Sequence, residues 1–96
     1  MYERVFSFQS VPEKRKAIEA MANDLYVFTK SLDGFVSATY MVSDDEREYS
    51  SVTLWESKET AVDAGESIRK KSASVLEGLM TAPPKLVINE VYNPKS

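Results

Sequence analysis

A chain of 96 residues, 43% hydrophobic and 28% charged, is long enough for one globular domain and too apolar for a disordered segment. It has no Cys and no His, which excludes disulfides, thiol nucleophiles, Ser-His-Asp triads, zinc clusters and a histidine haem ligand. A net charge of −3 without a basic stripe argues against nucleic acid as a partner.

The start Met1-Tyr2-Glu3-Arg4 has no positive region leading into an apolar core, and no apolar run approaches the roughly 20 residues of a membrane span. No membrane partner is expected, and the absence of Cys fits a reducing, cytoplasmic setting. No cofactor and no metal is expected either. The acidic segment 43–47 lacks the glycine and glutamate spacing of a calcium loop.

Residues 2–9 (YERVFSFQ) read as a first strand, with Val5, Ser7 and Gln9 alternating with Arg4, Phe6 and Phe8. Ser10-Val11-Pro12-Glu13 has the capping-box spacing, with Pro in the first turn, where its missing N–H costs nothing. A helix over 11–31 follows, with Ile18, Met21, Leu25, Phe28 and Leu32 on one stripe. The run Lys14-Arg15-Lys16 near its start opposes the helix dipole. Asp33-Gly34 ends the helix, because glycine takes the left-handed conformation of a C-terminal cap.

A second strand over 35–42, a turn at 43–47 and a third strand over 48–56 come next. The third strand splits into Tyr49, Ser51, Thr53 and Trp55 on one face and Ser50, Val52 and Leu54 on the other. Ser57 is the natural N-cap of a second helix over 58–81, with Glu59 in its first turn. Gly65 and Ser72 weaken its middle and predict a bend or break there. Pro83-Pro84 stops it, and a last strand over 85–92 leaves a tail at 93–96.

The order βαββαβ predicts an α+β, ferredoxin-like single domain: a four-stranded antiparallel sheet with both helices on one face. Yet the strands carry apolar residues on both faces. Val36, Ala38, Tyr40 and Val42 stand opposite Phe35 and Met41, and Leu86, Ile88 and Tyr92 opposite Val87 and Val91. A sheet apolar on both sides needs cover on both sides, and a second copy on a two-fold axis is the simplest cover. A homodimer is expected.

Two stretches carry a resemblance. Leu32-Asp33-Gly34-Phe35-Val36 and Leu54-Trp55-Glu56-Ser57-Lys58-Glu59-Thr60-Ala61 resemble the antibiotic biosynthesis monooxygenase-like family. The resemblance implies a dimeric α+β barrel with a pocket between sheet and helices. It also implies a range of activities, from cofactor-independent oxidation of phenolic or quinol-type compounds to haem degradation. The haem-degrading pattern needs an Asn on the first strand and a Trp and a His on the second helix. Here Ser7 stands roughly where the Asn would fall, the second helix has no Trp, and the chain has no His, so haem degradation by that route is not expected.

Trp55, Tyr40, Ser7 and Tyr26 are the candidate substrate-binding residues. Trp55 can pack a planar substrate and donate its N–H; packing at the strand-to-helix corner is its more economical role. Tyr26 and Tyr40, like Tyr49 and Tyr92, can orient a substrate oxygen or simply edge the core. Ser7 can line the pocket or fill space. Asn89 and Glu90 fit an exposed sheet edge. Two functions compete: a cofactor-independent monooxygenase acting on a small aromatic compound, and a non-catalytic homodimeric small-molecule-binding or structural module.

Overall fold

Alternating side chains and helical stripes sort the chain into two layers. A computed structural model describes residues 1–95. Strands β1 (Tyr2–Gln9), β2 (Phe35–Val42), β3 (Glu48–Trp55) and β4 (Lys85–Glu90) form one antiparallel sheet in the order β2-β3-β1-β4. Helices α1 (Arg15–Thr29) and α2 (Lys58–Glu77) cross over between strands and lie on one face. The arrangement is the α+β, ferredoxin-like one expected from the element order.

Register fixes which side chains face the helices. Arg4 pairs with Thr53 and Ile88, Phe6 with Ser51 and Leu86, and Phe8 with Tyr49. On the open face a row of β-branched residues, Thr39, Val52, Val5 and Val87, crosses all four strands. The neighbouring rows there are mostly small or polar: Met41, Ser50, Ser7 and Lys85 on one side, Ser37, Leu54, Glu3 and Asn89 on the other. The open face is thus an apolar stripe, narrower than the strand pattern suggests. One reason is an irregularity between Phe35 and Ser37, which pairs Phe35 with Trp55 and turns it to the helix side.

Several local expectations are corrected. Ser10 caps no helix; it is buried and donates a 2.6 Å hydrogen bond to the Leu79 carbonyl. A 3₁₀ turn over Pro12–Lys14 precedes α1 instead. The basic run at that point is engaged: Lys14 donates to the Gly78 carbonyl at 2.8 Å, just past the end of α2, and Arg15 pairs with Glu46 and Glu19. Those partners oppose an unfavourable dipole term that is only a few tenths of a kcal/mol, up to about 1, at exposed sites. Helix α2 is continuous from Lys58 to Glu77, with no break at Gly65 or Ser72. Ser72 stays in the helix by donating to the Ile68 carbonyl at 2.8 Å.

The capping box does form, one helix later. Ser57 accepts from the Thr60 backbone N–H at 3.1 Å, and the Thr60 hydroxyl accepts from the Ser57 N–H at 3.2 Å. Gly34, at φ 79°, sits against this cap, and a Cβ there would come within 2.4 Å of the Thr60 hydroxyl oxygen. The Glu56 N–H donates to the Gly34 carbonyl at 2.9 Å. The two stretches that carry the family resemblance are therefore one structural unit, closed around Trp55.

Candidate functional site

The helix-facing layer does not close. Buried apolar residues fall into two clusters: Phe8, Ile18, Tyr49, Leu76 and Leu79 at one end, and Trp55, Ala61, Ala64 and Ile68 at the other. Between them, under α1 and over β1–β3, is a cavity of about 650 Å³. That volume lies within the range of roughly 300–1,000 Å³ typical of small-molecule sites. Helix α1 contributes Ile18, Ala22, Leu25 and Tyr26; the sheet contributes Phe6, Phe8, Ala38, Val42, Ser51 and Thr53; α2 contributes Ile68, Ser72 and Leu76.

Two of the four candidate binding residues line this cavity. Tyr26 and Tyr40, from α1 and β2, meet edge to face at its rim, with ring centroids 6.1 Å apart and an angle of 87°. Burial raises the Tyr40 pKa above its ordinary 10.0, with the neighbouring Thr29 hydroxyl opposing this in part. At neutral pH Tyr40 is a protonated hydroxyl, able to donate to a ligand oxygen.

The other two candidates lie elsewhere. Trp55 is 0% exposed and packs into the corner, edge-on to Phe35 at 5.7 Å. Its indole N–H donates to the Thr53 hydroxyl at 2.8 Å, so it supports a cavity residue from behind without lining the cavity. Ser7 is on the opposite sheet face, paired with Ser50 and Lys85. A register one residue off would have exchanged Ser7 with its neighbours; with β1 in this register it points away from both helices. Tyr49 does line the cavity, stacked on Phe8 at 5.6 Å, with a buried hydroxyl that has no partner among the described residues. Burial, with the Glu46 carboxylate adding to it, raises its pKa above the ordinary 10.0. Tyr92 is 80% exposed, and Asn89 and Glu90 are exposed on β4, an edge strand.

Sequence reasoning missed Arg4. Alternation put it on the helix face of β1, and that was the available signal: a charged residue at a core position of a strand. It lines the cavity at only 6% exposure. Its Nε is buried without a hydrogen-bond partner, and among the described residues it makes no ion pair. Its guanidinium carbon lies 5.6 Å from the centre of the Phe6 ring. Desolvation lowers its pKa from the ordinary arginine value, and the nearby Tyr40 hydroxyl partly counters this.

Among the described residues no cluster of three or more His, Cys, Asp or Glu side chains is placed to hold a metal, and no helix is long and apolar enough to cross a membrane. No protein-family profile and no curated protein matches the chain. Solved structures do match. A monooxygenase from the gene ActVA-Orf6 of Streptomyces coelicolor, in complex with nanaomycin D, superposes at a TM-score of 0.75 and 22% identity, over 99% of this chain and 90% of that one. SnoaB, a cofactor-independent oxygenase from Streptomyces nogalater, reaches 0.80 at 17% identity, over 97% and 94%. A candidate antibiotic biosynthesis monooxygenase from Nitrosomonas europaea reaches 0.78 at 17% identity, over 99% and 93%. The architecture, the corner built from the two short stretches and these superpositions agree: the chain has the fold of the antibiotic biosynthesis monooxygenase-like proteins.

Proposed function

We propose that the protein is a cofactor-independent monooxygenase that oxidises a small aromatic or quinol-type compound in the cavity between the sheet and the helices. The observation that carries this reading is the cavity itself. It is a mostly apolar chamber of about 650 Å³ with a pair of tyrosines at its rim. It sits in a fold shared with two proteins described as a monooxygenase and a cofactor-independent oxygenase. Oxidation of a ring methylene to a carbonyl balances without added electrons. One atom of O2 enters the ring, and the other leaves as water with the two hydrogens. The protein's part is to hold the ring, orient its oxygen through Tyr40 and keep water away.

A second copy completes this reading. Covering the stripe Thr39–Val52–Val5–Val87 would remove exposed Val87 from water, and the small Ser7 and Ser50 beside it allow a close sheet-on-sheet approach. Ser7 then belongs to the dimer contact. One observation favours binding without chemistry: the carboxylate at the cavity rim, Glu19, is ion-paired with Arg15 at 3.5 Å.

The test is oxygen uptake with a panel of anthrone- and hydroquinone-type compounds, comparing the wild type with Ala38→Phe, which places a ring inside the cavity. Uptake above the buffer rate that is lost in Ala38→Phe supports the oxygenase. No uptake across the panel leaves the binding module as the better reading.

A further inference from the structure

An acidic protein has put a net positive charge into its cavity. The charged residues lining it are Arg4, Arg15, Arg69 and Glu19, three cations and one anion, in a chain of net charge −3. Arg15 is neutralised by Glu46 and Glu19, and Arg69 is exposed at the rim. Arg4 is the exception: a residue only 6% exposed, with its Nε buried and unpartnered and no carboxylate paired to it among the described residues.

Such a group is expensive to keep, because desolvation of a charge is offset only by a counter-charge and hydrogen bonds. The fold nevertheless makes room for it. Gly65, in the interior of α2, lies directly over Arg4, and a Cβ there would sit 2.7 Å from Arg4 Nε. Glycine inside a helix is destabilising relative to alanine. Helix α2 thus accepts a weaker residue at a place where a side chain would collide with the guanidinium. A buried arginine without a partner among the described residues has donors free to receive an anion that arrives with the ligand.

We infer that the cavity binds its aromatic ligand as an anion, with an ionised oxygen of the ring system, phenolate or carboxylate, held by the guanidinium of Arg4 beside the Tyr40 hydroxyl. The inference rests on the aromatic-ligand reading above and adds the ligand's charge state. It also removes a chemical difficulty, since a substrate bound already ionised needs no histidine to take its proton.

The experiment is a set of binding titrations by calorimetry at neutral pH with three probes of one ring system: naphthoate, an ionised nitronaphtholate, and the uncharged naphthamide. Wild type is expected to bind at least one of the two anions about tenfold or more tightly than naphthamide, the range for hydrogen bonds to a buried charge. Arg4→Met is expected to lose that preference while keeping its affinity for naphthamide, and Arg4→Lys, which keeps the charge without the planar fork, to retain part of it. Which anion wins tells carboxylate from phenolate. The Tm of unliganded Arg4→Met is expected to equal or exceed that of the wild type, because a buried unpaired charge has been removed. The inference is overturned if neither anion is preferred over naphthamide, if no probe binds, or if the preference survives in Arg4→Met. An Arg4-dependent preference without oxygen uptake would keep the anion site and remove the oxygenase. Uptake by a protein with no such preference would do the reverse.

Discussion

Arg4 and Trp55 exchange the roles their residue types suggest. The only tryptophan, a natural stacking platform, is spent on the corner between β3 and α2, fully buried against Phe35 and bonded to Thr53. The arginine, a residue of surfaces, faces the cavity. Periodicity could place both on the helix side of the sheet, but the distinction between lining a cavity and backing it depends on how far α1 stands off the strands. That distance is set by side chains from other elements. Trp55→Phe is therefore expected to lower stability by about 2 kcal/mol, roughly 10 °C in Tm by thermal melting, while changing the affinity for an aromatic probe little. Tyr40 and Tyr49 give a pH signature. Both phenols have pKa values raised above 10.0 by burial, so the stability they contribute is complete below pH 10 and is lost as pH rises through their folded-state values. Alkaline unfolding followed by circular dichroism is expected to begin above pH 10 and to move upward in Tyr40→Phe. An unchanged transition would show that Tyr40 ionises as freely in the folded chain as in the unfolded one.

At the scale of elements, the strands, the turn at 43–47 and the Ser57 N-cap were legible, because each depends on short-range spacing. The capping box expected at Ser10 does not form. Ser10 has the right spacing to Glu13, but its hydroxyl finds the Leu79 carbonyl, which is 69 residues away in sequence. A long-range acceptor won over a local one. Gly65 also misled as a simple helix weakener. Its role needs Arg4, and the pair can be tested as a cycle. Gly65→Ala ordinarily stabilises a helix by about 0.5–1 kcal/mol. Urea denaturation is expected to show that gain missing in the wild-type background and restored with Arg4→Met, a coupling that a helix-propensity effect alone would not produce. Gly34→Ala faces both a φ of 79° and the Thr60 side chain. It is expected to cost about 2 kcal/mol or more, since the left-handed conformation alone costs alanine about 1–2.

For the whole molecule, the element order was enough to give the sheet and the helix layer, whereas the proposed cover over the open face would come from a second copy of the chain. The stripe through Val5 and Val52 makes a specific expectation: light scattering at micromolar concentration gives a dimer, and Val5→Glu, which places a charge in the middle of that stripe, gives a monomer of lower Tm. A monomeric wild type would remove the second copy. The central claim is that the cavity beneath α1 is the ligand site, and amide chemical-shift mapping with naphthoate tests it most directly. The expected result is a cluster of shifted amides at Arg4, Tyr26, Tyr40 and Thr53, on the three strands β1, β2 and β3 and the helix α1 that line the cavity. Shifts confined to the open face around Val5, Val52 and Val87, or to the Trp55 corner, would contradict it.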